Sequence, residues 1–267
     1  MLNISIVLYN HTWNSVGPLI GSLLTVKGLN ELFIIDNSPS PSPGFANRGG
    51  RYIFTGSNRG YGAGHNIALR KSLQQDVPFH LVINPDIELN PSSVTEMMEY
   101  LQQHPDTGLL MPRVVYPDGS LQYLCKLVPT PADLLFRRFL PEKLARKRMV
   151  RFEMRNTAYR HIMEVPYLSG CFMLLRTSTL KEVGLFDERF FMYPEDIDLT
   201  RRIHRRYKTV FYPAVTVIHH HEQSSYKNWR MLLIHSVNLV RYFNKWGWWY
   251  DPERTQINKR IIQLNRL

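Results

Sequence analysis

Polar side chains stand at the C-terminal ends of four apolar segments in the first 90 residues. Each segment is short and aliphatic, which is typical of a strand buried on both faces. Ligands of open α/β sheets bind beyond the carboxyl ends of the strands. The residues at these ends are Asn10, Asp36, Asn58 and the pair Asn84 and Asp86. The sequence therefore predicts one pocket for a hydrogen-bonding, partly anionic ligand.

Two carboxylates, Glu195 and Asp196, begin an amphipathic helix in the stretch YPEDIDL. Acids at this position stabilise a helix through its dipole, by roughly 0.3–1 kcal/mol each, so a structural role is one interpretation. The same dipole keeps a carboxylate ionised, as a general base must be to accept a proton at neutral pH. The aromatic-rich GLFDERFFMYP before them could wall off a site. Catalysis is therefore the second interpretation.

Three histidines, His219 to His221, end the apolar stretch AVTVI. In an extended chain His219 and His221 share a face, whereas His220 points away. One of the two could join a carboxylate on a divalent cation, and such an O/N ligand set suits manganese or magnesium. An ordinary buried histidine remains the alternative.

The glycines of NRGYGAG, at 60, 62 and 64, follow the third apolar segment and open a helix. Their spacing is not that of a dinucleotide fingerprint, which would also belong after the first strand. Glycines let the backbone approach a ligand closely, and a helix N-terminus favours anions. An anionic ligand could bind here, although an ordinary strand-to-helix turn would have a similar sequence.

Strands and helices alternate through the first 105 residues, which predicts an α/β fold with a mostly parallel sheet and helices on both faces. The predicted strands are 4–8, 31–36, 51–56 and 80–84, and the predicted helices are 16–26, 65–73 and 91–104. The second half is less regular. It contains a tight-turn signal at 116–121, a helix from 194, two strands or one strand bent at Pro213 over 208–221, and a last helix over 229–246.

The 267 residues are 44% hydrophobic, enough for one large domain or two small ones. No apolar run reaches the roughly 18–20 residues that span a bilayer, and the N-terminus lacks the basic start and cleavage site of a secretory signal. Cys125 and Cys171 lie in apolar surroundings and are expected to be reduced core residues. These features predict a cytoplasmic protein.

A net charge of +11 calls for an anionic partner or surface. Basic residues are interleaved with apolar ones over 134–151 and again over 241–267, where three tryptophans and a tyrosine fall within 246–250. Such segments suit contact with an anionic membrane surface. Nucleic-acid binding is the alternative, but no reader motif supports it.

Taken in order, several motifs resemble those of the family-2 glycosyltransferases with the GT-A fold. They are IVLYN, IIDNS, NRGYGAGHN, INPD, YLSGCFMLLR, GLFDERFFMYPEDIDL and HHHEQS, and the block 167–199 is the most specific. The chain is similar above all to bacterial rhamnosyltransferases that use dTDP-L-rhamnose for O-antigen and cell-wall polysaccharide. The resemblance implies a catalytic domain over 1–222, with a nucleotide-sugar half to about 120 and an acceptor half after it. Residues 223–267 would form a C-terminal helical segment.

The resemblance also implies roles for the polar residues at the strand ends. Asp36 resembles the acid that hydrogen-bonds the nucleobase. The remaining donor-binding positions are Asn10, Asn58, Gly62, Asn66, Asn84 and Asp86.

The segment Asn84-Pro85-Asp86 takes the place of the metal-binding Asp-x-Asp motif. His219 corresponds to a histidine near the metal and the diphosphate, and His221 is the second choice. Because Asn84 contributes no charge, we expect a weak magnesium or manganese site. If activity survives chelation, Asp86 instead orients the hydroxyls of the donor sugar.

In the same comparison Asp196 corresponds to the catalytic base, and Glu195 supports it or touches the acceptor. Ser169 and Gly170 fall in the acceptor region. The implied reaction is an inverting sugar transfer to a hydroxyl of a polyprenyl-diphosphate-linked glycan at the cytoplasmic face of the plasma membrane, with 134–151 and 246–250 facing the lipid. A UDP-hexose or galactofuranose donor is the alternative substrate, and a non-catalytic binding module is the alternative class.

Overall fold

A computed structural model describes residues 1–134, 142–220 and 229–265, so His221 and residues 135–141 of the basic stretch 134–151 lie outside the described residues. The strands are β1 Leu2–Leu8, β2 Leu29–Asp36, β3 Arg51–Phe54, β4 Phe79–Ile83, β5 Ile87–Glu88, β6 Thr107–Val115, β7 Cys125–Lys126, β8 Met163–Glu164, β9 Tyr167–Leu168, β10 Phe172–Arg176 and β11 Lys208–His219. The labelled helices are α1 Trp13–Leu24, α2 Tyr61–Gln74, α3 Pro91–Gln103, α4 Glu142–Phe152, α5 Thr177–Val183, α6 Pro194–His204, α7 Trp229–Trp246 and α8 Pro252–Leu264.

One large sheet forms the centre of the molecule, with strand order β3-β2-β1-β4-β10-β6-β11-β5 and with β8 beside β11. The first four strands in this order are parallel. The fifth, β10, is antiparallel to both of its neighbours, and β6 and β11 are parallel again. The sheet is therefore mixed, and its parallel half is the N-terminal one. The carboxyl ends of β1 to β4 meet at one edge, as the alternation of strands and helices predicts.

Helices cover both faces of this sheet, and each face has its own core. On one face α1 and α3 bury residues such as Ile20 and Met97 against β1 and β4. On the other face α2, α5 and α6 bury residues such as Leu69, Leu180 and Leu199. This two-sided burial explains why the central strands are continuous apolar runs instead of alternating patterns.

The structure adds detail to the sequence prediction at two elements. Helix α2 begins at Tyr61, four residues before its predicted start, so two glycines lie inside its first turn. Of the two alternatives predicted around Pro213, the structure has the single strand, β11, whose register against β6 shifts between Tyr212 and Thr216. A proline cannot donate to the ladder, and a bulge at this point lets the strand continue past it.

Buried ion pairs fasten the C-terminal helices to α6. The guanidinium of Arg201, which is 1% exposed, donates to both carboxylate oxygens of Asp251 at 2.8 Å. The buried carboxylate of Asp198 accepts from Lys245 at 2.6 Å and from the indole of Trp246 at 2.8 Å. The C-terminal segment is therefore part of the folded core. In the described part of the chain, we find no helix with the length and apolarity needed to cross a membrane.

Candidate active site

The end of β2 is organised around the buried carboxylate of Asp36. One oxygen accepts from the backbone N–H of Ser38 at 2.9 Å, and the other accepts from the hydroxyl of Tyr52 at 2.6 Å. Burial first, and this hydrogen bond second, raise the pKa of Tyr52 to about 12. Asn10, with a positive φ of 57°, donates its backbone N–H to the Ser38 hydroxyl at 2.8 Å. Asp36 thus folds the loop after β2 against the end of β1.

The loop before α2 is tied to the same edge. The side chain of Asn37 donates to the carbonyl of Gly60 at 3.0 Å, and the exposed Asn58 accepts from the Gly60 N–H at 3.0 Å. Gly60 has a φ of +85°, and a Cβ there would lie 2.2 Å from the carbonyl oxygen of Phe191. Only glycine fits this position. Sequence reasoning missed Asn37, although it directly follows a predicted strand.

Two predicted donor residues lie further inside. The amide of Asn66 is buried, and it donates to the carbonyl of Phe186 at 2.9 Å and accepts from the Phe186 N–H at 3.1 Å. A Cβ on Gly62 would lie 2.8 Å from the Cβ of Phe186. Both residues therefore join α2 to the loop before α6. Their contacts give them a positioning role, and the donor role stays a prediction.

Strand β4 delivers Asp86 to the end of β11. The Nε2 atom of His219 lies 3.2 Å from Oδ1 of Asp86 and 3.4 Å from Nδ2 of Asn84. The other ring nitrogen of His219 lies 2.9 Å from the side-chain oxygen of Gln122, whose amide N–H₂ donates to the His219 carbonyl at 2.8 Å. Sequence reasoning missed Gln122, which no pattern marks.

This arrangement fits a divalent cation. Because the oxygen of Gln122 only accepts, Nδ1 of His219 carries a proton. Nε2 would then be the ring nitrogen that binds a cation beside Asp86. A carboxylate and a neutral imidazole fixed by an outer hydrogen bond suit manganese or magnesium. Over the described ranges, no group of three or more His, Cys, Asp and Glu side chains has the geometry of a metal site. A cation here would need further oxygen ligands from a bound substrate or water.

The two acids of α6 are buried at its first turn. Asp196 is 9% exposed, and its carboxylate accepts from the N–H of Gly170 at 2.9 Å and from the N–H of Ile197 at 2.7 Å. Burial raises the pKa of Asp196 to about 6, against the lowering effect of the Gly170 N–H and of Lys126. Burial and the neighbouring Asp196 raise the pKa of Glu195 well above its usual value. At neutral pH Asp196 is thus mostly ionised, and both effects on Glu195 favour its protonated form.

The residue before this turn is held in a rare conformation. Tyr193 has φ 90° and ψ −75°, a region that non-glycine residues avoid. The adjacent Met192 carbonyl accepts from Asn238 of α7 at 3.0 Å, and the ring of His235 lies edge-on to Tyr193 at 4.6 Å. Such strain persists where the surroundings over-determine it, often at functional sites.

Two further residues that sequence reasoning missed lie beside Asp196. Lys126 is 3% exposed, and its ammonium lies 5.0 Å above the ring of Tyr167. Tyr61 donates its hydroxyl to the carbonyl of Gly170 at 2.6 Å. A lone lysine within the apolar run YLCKLV was an available signal. Tyr61 gave none, because an aromatic residue at a helix start has no special meaning by itself.

The segment Ser169-Gly170-Cys171 joins the two halves of the site. Its Cys171 carbonyl accepts from the backbone N–H of Asn84 at 2.9 Å, and its Gly170 N–H holds Asp196. The structure therefore places the pair Asp86 and His219 and the buried carboxylate of Asp196 on either side of one short segment. Such a site can stabilise an anionic leaving group and accept a proton from an attacking hydroxyl.

Comparison with known proteins agrees with this chemistry. The chain is 30% identical over 238 residues to N-acetylglucosaminyl-diphospho-decaprenol L-rhamnosyltransferase of Mycobacterium tuberculosis, covering 81% of this chain and 75% of the relative. Among solved structures it resembles GalNAc-T7 with UDP, GalNAc and Mn²⁺, with a TM-score of 0.58, 13% identity and coverage of 82% of this chain and 43% of the other. It also resembles the mannosyltransferase PcManGT of Pyrobaculum calidifontis in complex with GDP-Man and Mn²⁺, with a TM-score of 0.56, 14% identity and coverage of 91% and 63%.

The structural likenesses confirm the GT-A fold, which the sequence motifs predict. Residues 4–184 match the model of Glycosyl transferase family 2, and this span is more than half of the chain. On this evidence the chain belongs to glycosyl transferase family 2.

Proposed function

We propose that this protein is an inverting glycosyltransferase that moves L-rhamnose from dTDP-L-rhamnose to a hydroxyl of a polyprenyl-diphosphate-linked glycan. One observation carries the reaction type. A buried carboxylate with a pKa of about 6, Asp196, lies across residues 169–171 from the cation-binding pair Asp86 and His219. The rhamnosyl donor and the lipid-linked acceptor are supported by the name of the relative that is 30% identical.

In the proposed reaction Asp196 takes the proton of the acceptor hydroxyl while that oxygen attacks the anomeric carbon. The bond from this carbon to the diphosphate breaks, and the nucleoside diphosphate leaves with the electron pair. No covalent intermediate with the protein is required. Asp86 and His219 would hold a divalent cation, which supplies Lewis-acid stabilisation of the leaving diphosphate when bound. Lys126 helps to keep Asp196 ionised.

A thermal-shift screen of dTDP and UDP, each with and without manganese, tests the donor and the metal. We expect dTDP to raise the melting temperature more than UDP does, and manganese to enlarge the shift. A larger shift with UDP would replace the rhamnosyl donor with a UDP-hexose or galactofuranose donor. In Asp86→Asn the manganese-dependent part of the shift should disappear.

Transfer itself is tested with Asp196→Ala. We expect a loss of transfer of at least about a hundred-fold, since a general base contributes roughly 10²–10⁴-fold. The dTDP shift should be retained, because Asp196 is not among the predicted donor residues. Unchanged transfer would contradict the assignment of the base. A non-catalytic binding module would show the dTDP shift but no transfer in the unmodified protein.

Helix α7 carries exposed apolar residues that suit contact with a membrane. Three residues spaced at i, i+4 and i+7 on α7, Leu233, Val237 and Val240, are 56%, 41% and 45% exposed, and Trp249 just beyond the helix is 78% exposed. Next to this stripe, α7 and the loop before α6 enclose a cleft of about 620 Å³ that contains Arg241. An exposed apolar stripe on a chain of net charge +11 suits the surface of an anionic leaflet. We therefore propose peripheral attachment to the inner face of the plasma membrane.

Vesicle binding tests this attachment. Removing residues 243–267 would be a poor test, because it also removes Asp251, the partner of buried Arg201. The double variant Leu233→Ser, Val237→Ser changes only exposed side chains, and we expect it to sediment several-fold less with phosphatidylglycerol vesicles. Leu264→Ser is the matched control, since Leu264 is 60% exposed on α8. Equal sedimentation of both proteins would overturn the proposal.

A further inference from the structure

The segment 169–171 receives contacts from three separate elements. Tyr61, the first residue of α2, donates to the Gly170 carbonyl at 2.6 Å. The Gly170 N–H donates to Asp196 at 2.9 Å, and the Cys171 carbonyl accepts from the N–H of Asn84 at 2.9 Å. Glycine has the most mobile backbone of any residue, so its conformation here depends on these contacts.

Tyr61 is itself firmly held. Its backbone N–H donates to the carbonyl of Phe191 at 3.0 Å, and its ring packs edge-on against His65 at 4.5 Å and Phe186 at 6.2 Å. Burial raises the pKa of the Tyr61 hydroxyl well above its usual value, so the hydroxyl stays protonated and can only donate to the Gly170 carbonyl. Tyr61 is therefore a rigid, permanent donor.

Space around Gly170 is limited on both sides. A Cβ on Gly170 would lie 3.2 Å from the Cβ of Asp196 and 3.4 Å from a ring carbon of Tyr61. The backbone of Gly170 thus lies in a slot between the tyrosine ring and the carboxylate. Any rotation of Gly170 would withdraw its N–H from Asp196.

We propose that Tyr61 is a positioning residue for the catalytic base, because it fixes Gly170 so that the Gly170 N–H remains directed at Asp196. The proposal rests on the proposed function, in which Asp196 accepts the proton. Tyr61 also ends the loop that carries Asn58 and Gly60. The loop assigned to donor binding and the base therefore share one rigid connection, and this connection aligns the base with the bound sugar.

The contact between Tyr61 and Gly170 affects the pKa of Asp196 as well as its position. A fixed N–H favours the ionised form of Asp196. The other titratable groups around Asp196 are Glu195 on the same helix, Tyr61 on α2, Lys126 on β7 and Cys171 before β10. Tyr61→Phe removes only the phenol hydroxyl, which is neutral over this pH range, so the charged neighbours of Asp196 are unchanged. Loss of the hydroxyl should therefore raise the pKa of Asp196, and the variant should lose more activity at pH 6 than at pH 8.

The experiment compares Tyr61→Phe with the unmodified full chain from pH 5.5 to 8.5, using dTDP-L-rhamnose and a synthetic N-acetylglucosaminyl-diphospho-prenol. We expect kcat to fall about ten-fold at pH 6.5, the KM for the donor to stay within about two-fold, and the acidic limb of the pH profile to move upwards. Tyr212→Phe is the control. It removes a hydroxyl that donates to a carboxylate, Glu96, at 2.9 Å on the opposite side of the sheet, and it should leave the profile unchanged.

Urea unfolding gives a reading that does not depend on activity. Tyr61→Phe should lower the free energy of unfolding more at pH 7.5 than at pH 5, because Asp196 is ionised at pH 7.5 and then depends most on the Gly170 N–H. Loss of a purely structural contact would lower the free energy of unfolding equally at both pH values. If Tyr61→Phe fails to fold, Gly170→Ala, which crowds the same slot, should show the same shift of the acidic limb. Asp196→Asn separates the two claims. If Asp196→Asn keeps transfer activity, the assignment of Asp196 as the base is wrong. If Asp196→Asn abolishes transfer but Tyr61→Phe retains the unmodified kcat, pH profile and pH-dependent stability, only the positioning role of Tyr61 is overturned.

Discussion

Asp196→Asn should reveal a stability cost that the active site imposes on the fold. The folded protein raises the pKa of this carboxyl from 3.8 to about 6, chiefly because the group is buried. A raised pKa means that the native state holds the proton more tightly than the unfolded chain does. The stability that Asp196 contributes is therefore fully present below about pH 4 and is lost as the pH rises through about 6.

The size of this effect follows from the rise in pKa. It corresponds to about 3 kcal/mol in total, of which about 1 kcal/mol is already lost at pH 4.5, because the carboxyl of the unfolded chain is mostly ionised by then. Asparagine carries no titrating proton, so the variant lacks this loss. It has a cost of its own, since its amide N–H₂ must face one of the two N–H groups that Asp196 accepts from, at roughly 1–3 kcal/mol. That cost does not change with pH.

Urea denaturation of both proteins at pH 4.5, 5.5, 6.5 and 7.5 separates the two contributions. Asp196→Asn should be the less stable protein at pH 4.5, and the difference should move in its favour by about 1.5–2 kcal/mol by pH 7.5. In melting temperature this is a relative change of roughly 4–8 °C. Transfer activity should be absent at every pH.

A matched control is Asp76→Asn on the surface. Lys181 lowers the pKa of Asp76, so its pH-dependent change in stability should be small and of opposite sign. Stability curves for Asp196→Asn and the unmodified protein that run parallel across this pH range would refute the reasoning. They would show that the carboxyl titrates in the fold as it does in the unfolded chain.

Two further predictions concern the buried ion pair of Arg201 and the hydrogen bond that orients His219. Asp251→Ala should destabilise the protein by about 3–5 kcal/mol in urea denaturation, because it leaves the guanidinium of Arg201 buried beside Glu253 alone, and a loss below about 1 kcal/mol would contradict this. Gln122→Ala should weaken manganese binding by about 10–100-fold in isothermal titration in the presence of dTDP, since His219 loses the partner that fixes its proton on Nδ1, and unchanged affinity would exclude the proposed ligand role.

Much of the site could be predicted because it depends on local patterns. Parallel strands with apolar runs end at a common edge, and the residue that follows each run is read directly from the sequence. The positions of Asn10, Asp36 and Asp86 follow from this rule. So does the helix that begins with Glu195 and Asp196, since its apolar spacing and its proline at the first position are local signals.

The remaining features depend on partners that lie far along the chain. Asn66 contacts Phe186, 120 residues away, and Tyr61 contacts Gly170, 109 residues away. No periodicity encodes such a pair, because it arises only when helices pack on the sheet at a particular depth. The same is true of buried Lys126, whose charge is tolerated only beside the carboxylates that the fold brings to it.

By itself, the sequence determined the α/β architecture, the sheet edge at which polar side chains gather and the acids presented there, because strand and helix periodicity fix which end each side chain reaches. Only the tertiary structure decided which of these polar groups lie close together and which fasten one loop to another. The reason is that a buried amide or carboxylate must satisfy its hydrogen bonds with whatever the packing supplies. Asp196 acquires its environment in this way, since it is buried by the packing and held by the N–H of a glycine 26 residues before it in the chain.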